Sequence, residues 1–155
     1  MAKGFTQLKD IDYFDTFAPV ARMTSIRLLI ALAAIHSLVI HQIDVKTAFL
    51  NGDLDEEVYM KQPKGFVILD QEHNVCKLLK SLYGLKQAPK QWNEKFRRVM
   101  ISNGYSINGG DICIISKFQG KPGVTICLYV DDMLIFGTDI ERFKEINKIV
   151  SSFSI

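Results

Sequence analysis

Val124-Thr125-Ile126-Cys127-Leu128-Tyr129-Val130-Asp131-Asp132-Met133-Leu134-Ile135-Phe136 is an apolar run broken at one place, by two adjacent carboxylates. Gly123 precedes it and Gly137 follows it. Both flanks are rich in β-branched and aromatic residues and are bounded by turn signals. They predict two strands with the acids at or near the tip of a hairpin. Two carboxylates side by side in an apolar setting raise each other's pKa and destabilise the fold unless a cation shares the site. Mg²⁺ takes oxygen ligands and is usually held by one or two carboxylates together with substrate phosphates, so an acidic hairpin tip points toward phosphate chemistry. The dipeptide alone also fits a solvated turn, because Asp is common in turns.

The 155 residues suit one domain or a fragment of a larger one, long enough to bury a core. With 48% hydrophobic and 23% charged residues and no internal repeat, the composition is that of a globular protein. The longest apolar run, Leu28 to Ile40, is interrupted by His36 and Ser37. It is shorter than the roughly 20 residues of a membrane span. The N-terminus has no signal-peptide pattern. Cys76, Cys113 and Cys127 are odd in number, widely spaced and without a CxxC, which indicates neither a disulfide framework nor a zinc site and fits a reducing compartment. His36, His41 and His73 have no metal-ligand spacing. The net charge of +2 hides an asymmetry. Residues 51–75 hold six acids against two lysines, whereas residues 76–105 hold seven bases (Lys77, Lys80, Lys86, Lys90, Lys95, Arg97, Arg98) against Glu94 alone. The basic segment could face a polyanion or could be a solvated helix face.

Along the chain, a strand remnant and a turn-rich lead-in occupy the first twenty residues. Thr24 is the expected N-cap of a helix from Ser25 to His36 that packs Ile26, Leu29, Ile30, Ala33 and Ala34 into the core. Leu38 to Val45 reads as a strand with Asp44 at its exit, followed by an Asn51-Gly52 turn. Short strands are expected at Val58–Lys61 and Val75–Leu79, with a loop opened by Pro63 and Gly65 between them. Pro89 opens a helix whose Trp92, Phe96 and Val99 share a face, with Lys95, Arg97 and Arg98 off it, and Asn103-Gly104 closes it. Ile112–Phe118 and Val124–Val130 form an expected hairpin around Gly120-Lys121-Pro122-Gly123, and Met133–Phe136 adds a strand. Asp139 caps a last helix with Ile140, Phe143, Ile146, Ile149 and Val150 on its buried side.

A two-metal phosphoryl-transfer site wants ligands from more than one strand, and Asp44, at the edge of a separate apolar strand, is the candidate third carboxylate. Beside it stand five ordered segments: "AKGFTQ", "DTFAPVARMTSIR", "HQIDVKTAFLNGDLDEEVYMKQPKGF", "VCKLLKSLYGLKQAPKQW" and "LYVDDMLIFGTD". Together they resemble the reverse transcriptase of copia-type long-terminal-repeat retrotransposons over nearly the whole chain. The resemblance implies an α/β (α+β) right-hand polymerase with an antiparallel palm sheet backed by helices. Fingers would lie at approximately 1–42 and 58–85 and palm at approximately 43–57 and 86–155, with the domain truncated at both ends and no thumb.

By the same resemblance, Asp44, Asp131 and Asp132 are the catalytic acids. With the carbonyl of Val45 they would bind two Mg²⁺ ions, for which Mn²⁺ could substitute. One ion would assist loss of the primer 3′-OH proton, and the other would hold the triphosphate and stabilise the leaving pyrophosphate. Phe49 would exclude a ribose 2′-OH. Tyr83, Gly84 and Lys86 would approach the incoming nucleotide, Gly permitting close backbone approach and Lys offering charge to phosphate. Tyr129, Gln87, Pro89 and Arg97 would lie along primer and template. The implied partners are an RNA template, a DNA primer and deoxynucleoside triphosphates, with no membrane, in a polyprotein carrying protease, integrase and RNase H. The location would be intracellular, a cytoplasmic particle or the nucleus.

Departures from the family pattern accompany the match. The basic strand expected upstream of "AKGFTQ" is mostly absent, the chain stops before a "KDLG" segment, and Ile115 stands where an aromatic is usual after Asp111 and Cys113. Two other readings remain beside the polymerase: a degenerate, catalytically inactive retrotransposon remnant with at most weak nucleic-acid binding, and a palm-like nucleotidyltransferase or cyclase. The latter should lack the "SLYGLKQAP" loop.

Overall fold

A computed structural model describes residues 2–118 and 123–153. Its centre is a five-stranded antiparallel sheet in the order β1 (Val39–Asp44), β7 (Asp132–Gly137), β6 (Val124–Tyr129), β5 (Ile114–Lys117), β4 (Ser106–Ile107). A separate antiparallel pair, β2 (Tyr59–Lys61) and β3 (Val75–Lys77), lies outside it. Three α-helices accompany the strands: α1 (Met23–Ile35), α2 (Ala88–Ser102) and α3 (Ile140–Ser151). The expected turn at Gly120 to Pro122 lies outside the described residues.

The two-residue period of the strands divides the core between two faces of the sheet. Ile115, Ile126, Leu128, Met133 and Ile135 pack with Trp92, Phe96 and Met100 of α2 and with Phe143, Ile146, Ile149 and Val150 of α3. The alternate residues Ile114, Cys127 and Phe136, with Leu134, meet Ile26, Leu29 and Ala33 of α1. Burial of each large side chain in such a core contributes roughly 1.5–3 kcal/mol. Beside this core, Val58, Leu85 and Ala88 gather Ala2, Phe49, Leu54, Leu78 and Leu82 into a third, smaller cluster.

Two of the expected helices depart from their sequence reading. α1 starts at Met23, with Arg22 rather than Thr24 at its cap. The Arg22 N–H donates to Asp111 Oδ2 at 3.0 Å, an acceptor 89 positions away, so a tertiary contact does what a local cap would do. The helix also buries less than expected, because Ala33 is its one buried residue and Ile30 and Ala34 are exposed. Its sequence is apolar nearly all round, so periodicity could not select the side that meets the sheet. In α3 the cap is as expected, Asp139 accepting from the Glu141 N–H at 2.9 Å. Ile140, however, is 68% exposed, one residue into the first turn and off the buried stripe. α2 is opened by Pro89 and ends at Asn103-Gly104, where Gly104 takes φ +82° as a helix-terminating glycine does. No helix among the described residues is long and apolar enough to cross a membrane.

Candidate active site

β6 turns into β7 through only two residues, Val130 and Asp131, which place Tyr129 opposite Asp132. Val130 adopts φ +60°, a region that a β-branched side chain occupies at a cost on the order of 1–3 kcal/mol. The turn is held from two sides. Trp92 Nε1 of α2 donates to the Val130 carbonyl at 2.9 Å, and the Val45 N–H donates to the Asp131 carbonyl at 3.1 Å.

On the other side of β7, the register of β1 sets Asp44 directly opposite Asp132. Residues opposed in this way have their side chains on the same face of the sheet. Asp44, Asp131 and Asp132 therefore sit at the same end of neighbouring strands, the convergence that sequence spacing alone could not establish. Asp44 is exposed and the hairpin pair half-buried. Among the described residues no ion pair involves any of the three. Asp132 Oδ1 accepts a hydrogen bond from Gln42 Nε2 at 3.3 Å. The Val45 carbonyl, at the start of the 3₁₀ turn Ala48–Asn51, accepts the Ala48 N–H at 3.1 Å. The donor set consists of hard oxygens at uncompensated charge, which suits Mg²⁺ or Mn²⁺. The side chains themselves are not gathered: among the described residues no three His, Cys, Asp or Glu side chains form a metal-binding cluster.

Phe49 and Tyr83 form a wall beside the acids, their ring centroids 4.8 Å apart at an interplanar angle of 43°. Phe49 is half-buried and touches both the main core and the smaller cluster. Burial and the neighbouring Asp131 carboxylate push the Tyr83 phenol above its usual pKa. The Phe49 N–H opposes this, and Asp44 adds to the rise. Electrostatically, then, the tyrosine and the acids share one site. Gly84 takes φ +100° and is approached so closely by the N-terminal segment that a Cβ on Gly4 would collide with the Gly84 carbonyl.

The "AKGFTQ" segment, expected as a strand remnant, instead forms a 3₁₀ turn at Gly4–Thr6 that is tied to the Tyr83 loop. Ala2 N–H donates to the Tyr83 carbonyl at 2.8 Å, and Gln7 Oε1 accepts the Lys86 N–H at 2.9 Å. Lys86 Nζ donates to the Gln7 carbonyl and the Tyr13 hydroxyl, each at 3.2 Å, and lies 4.9 Å from the Tyr13 ring centroid. Gln87, expected along primer and template, is fully buried. Its Oε1 accepts from Gln7 Nε2 at 3.0 Å and its Nε2 donates to the Asp12 carbonyl at 3.0 Å. Its amide is thus matched at both ends inside the protein. Pro89 is half-buried in the first turn of α2, and Tyr129 is 44% exposed beside the acids.

The basic segment 76–105 is largely neutralised from within. Lys80, Lys95 and Arg98 converge on Asp53, the latter two at 3.0 and 3.6 Å. Lys77 pairs with Glu57, and Lys90 lies 3.1 Å from Asp15 and 3.7 Å from Glu94. The acidic and basic stretches of the sequence thus answer one another in part, through Asp53 and Glu57. Arg97 is half-buried, and its Nε is buried without a hydrogen-bond partner.

Comparison with known proteins bears on this site. The family described as reverse transcriptase (RNA-dependent DNA polymerase) matches residues 1–155. The chain is 53% identical over 140 residues, 90% of its length, to the retrovirus-related Pol polyprotein from transposon TNT 1-94 of Nicotiana tabacum, covering 10% of that protein. It is 44% identical over 139 residues to the polyprotein from transposon RE1 of Arabidopsis thaliana, again 90% of the chain and 10% of the relative. With the transposon Ty1-H Gag-Pol polyprotein of Saccharomyces cerevisiae the identity is 34% over 152 residues, 92% of the chain and 8% of the relative. The chain thus spans about a tenth of the length of these relatives. No solved structure matches it.

Proposed function

Because the chain belongs to the reverse transcriptase (RNA-dependent DNA polymerase) family, with homologues among Ty1/copia-type retrotransposon Pol polyproteins, we propose that it forms the palm and fingers of such a polymerase and adds deoxynucleotides to a primer 3′-OH. The observation that carries the reading is the register of β1 against β7, which opposes Asp44 to Asp132 and ties Val45 to Asp131, with no cationic side chain paired to the acids among the described residues. Asp44, Asp131, Asp132 and the Val45 carbonyl would hold divalent cations, Mg²⁺ or Mn²⁺. When bound, these supply Lewis-acid activation of the primer hydroxyl and charge neutralisation at the triphosphate.

The protein's own groups do the placing. Phe49, braced by Tyr83, walls the space beside the acids and would exclude a ribose 2′-OH by bulk. Gly84 lets backbone approach the nucleotide, and Lys86, exposed though tethered to Gln7 and Tyr13, offers its ammonium to phosphate. Tyr129, exposed next to Asp132, would meet the primer end, with Pro89 and Arg97 toward the template. Gln87 supports the loop by holding it to residues 7 and 12. RNA template, DNA primer and deoxynucleoside triphosphates are the proposed partners, within a polyprotein that also supplies protease, integrase and RNase H. The test is Mg²⁺-dependent extension of an oligo(dT) primer on poly(rA) by a polyprotein chain that contains these residues. Extension that disappears with Asp131→Asn is expected, and extension that survives the substitution overturns the ligand assignment.

A further inference from the structure

Val130 is the first of two residues in the hairpin turn and the residue immediately before Asp131, yet its φ of +60° is one that a valine avoids. Two-residue hairpin turns with positive φ at this position ordinarily place glycine there. Without a restraint such a turn would relax, rotating the Val130–Asp131 peptide and with it the carboxylate that follows.

One side chain bears directly on that peptide. Trp92 is 1% exposed, with Phe96 at 5.6 Å and Phe153 edge-on at 5.1 Å between ring centroids, so its indole has no room to swing. Its Nε1–H donates to the Val130 carbonyl at 2.9 Å, the oxygen of the very peptide whose rotation would move Asp131. Trp92 also lies three residues beyond Pro89, close behind the Tyr83 to Lys86 loop, so the same rigid helix supports both halves of the site.

We propose that Trp92 is a positioning residue: its buried indole N–H pins the Val130 carbonyl, holds the valine in the left-handed region and presets Asp131 and Asp132 for a divalent cation. This rests on the reading of the acids as a cation site. A buried indole N–H needs an acceptor wherever it sits, so the experiment must separate holding the turn from mere satisfaction of a donor.

The measurement is Mn²⁺ affinity, followed by loss of the free-ion electron paramagnetic resonance signal, for the wild-type chain, Trp92→Phe, Val130→Gly and the double variant. Trp92→Phe keeps an aromatic ring and removes the donor, and is expected to weaken Mn²⁺ binding about tenfold, the equivalent of one net hydrogen bond. Val130→Gly in the Trp92→Phe background is expected to restore most of that loss, since glycine adopts positive φ without a restraint. A packing role alone would show no rescue. Wild-type affinity in Trp92→Phe, or a double variant no better than Trp92→Phe, overturns the proposal. Absence of Mn²⁺ binding in the wild-type chain overturns the cation reading and this inference with it. If Trp92→Phe does not fold, the wild-type chain still decides the matter. Trp92 is the only tryptophan, so its single indole N–H resonance should shift as Mg²⁺ is titrated, and a resonance unmoved at saturation overturns the proposal.

Discussion

Two acidic regions of this molecule have opposite surroundings. Asp53 is ringed by Lys80, Lys95 and Arg98, and hydrogen bonds from Lys80 and then Lys95 hold its carboxyl below the ordinary carboxylate range. Asp44 and Asp132 face each other across two strands with Asp131 next to them, and among the described residues no cation is paired to any of the three. Asp53 joins the segment after the 3₁₀ turn to the stretch that follows β3 and to α2, and its charge is used up in doing so. The strand-end acids have no such partner among the described residues, which leaves their like charges for an added cation. An aspartate therefore signals chemistry when its charge is left over after the fold has been assembled, and architecture when it is not.

Primer extension separates the two acidic regions most directly. Asp131→Asn should lower the rate by on the order of 10²–10³-fold or more, whereas Asp53→Asn should leave the chemical step intact. A large rate loss in Asp53→Asn at unchanged stability would erase the distinction. Next in size is Asp53→Lys, which sets four cations against one another and should destabilise the fold by roughly 1–2 kcal/mol, since each partly exposed pair contributes only a few tenths to about 1 kcal/mol. Chemical denaturation measures this, and an unchanged midpoint would remove Asp53 from the architecture. Acidity then sharpens the contrast. The folded-state pKa of Asp53 lies below its unfolded value, so its stabilisation is present above the unfolded pKa of about 3.9 and is lost as the pH falls through the lower folded value. Glu57 and Asp15 shift in the same direction through Lys77 and through the Phe17 N–H respectively. Asp53→Asn should flatten the acid limb of the stability profile, and a limb as steep as the wild type's would contradict the assignment.

How much of this was legible in the sequence differs between the two regions for a physical reason. The strand-end acids were visible because an acid inside an apolar, β-branched run is locally anomalous, and the hairpin that carries Asp131 and Asp132 follows from period-two patterning. Their meeting with Asp44 was not visible, because register between β1 and β7 is set by packing across 87 intervening residues. The role of Asp53 was hidden for the same reason: its partners lie in β3's exit and α2, and the sequence displayed only an acidic stretch followed by a basic one. Asp111 as the acceptor for the first N–H of α1, and Gln7 as the tie to Lys86 and Gln87, are likewise long-range matches between polar groups that leave no local period. Trp92 was correctly read as core from its helical spacing, but its ring nitrogen's partner lies 38 residues away on the hairpin turn. For Val130, composition pointed to a strand, and only the two-residue length of the turn places it at positive φ.

The smallest effect is the most direct test, because its sign separates the two regions. Thermal unfolding of the wild-type chain and Asp132→Asn should be compared in chelator and in Mg²⁺. Asparagine keeps the acceptor for Gln42 and removes the charge opposite Asp44, so in chelator the variant should gain roughly 0.2–1 kcal/mol, a rise in midpoint of at most a few degrees. Mg²⁺ should then raise the wild-type midpoint and not the variant's, closing or reversing the gap. A variant less stable than wild type in chelator, or a Mg²⁺ effect equal in both proteins, would contradict the claim that these acids form an uncompensated cation site.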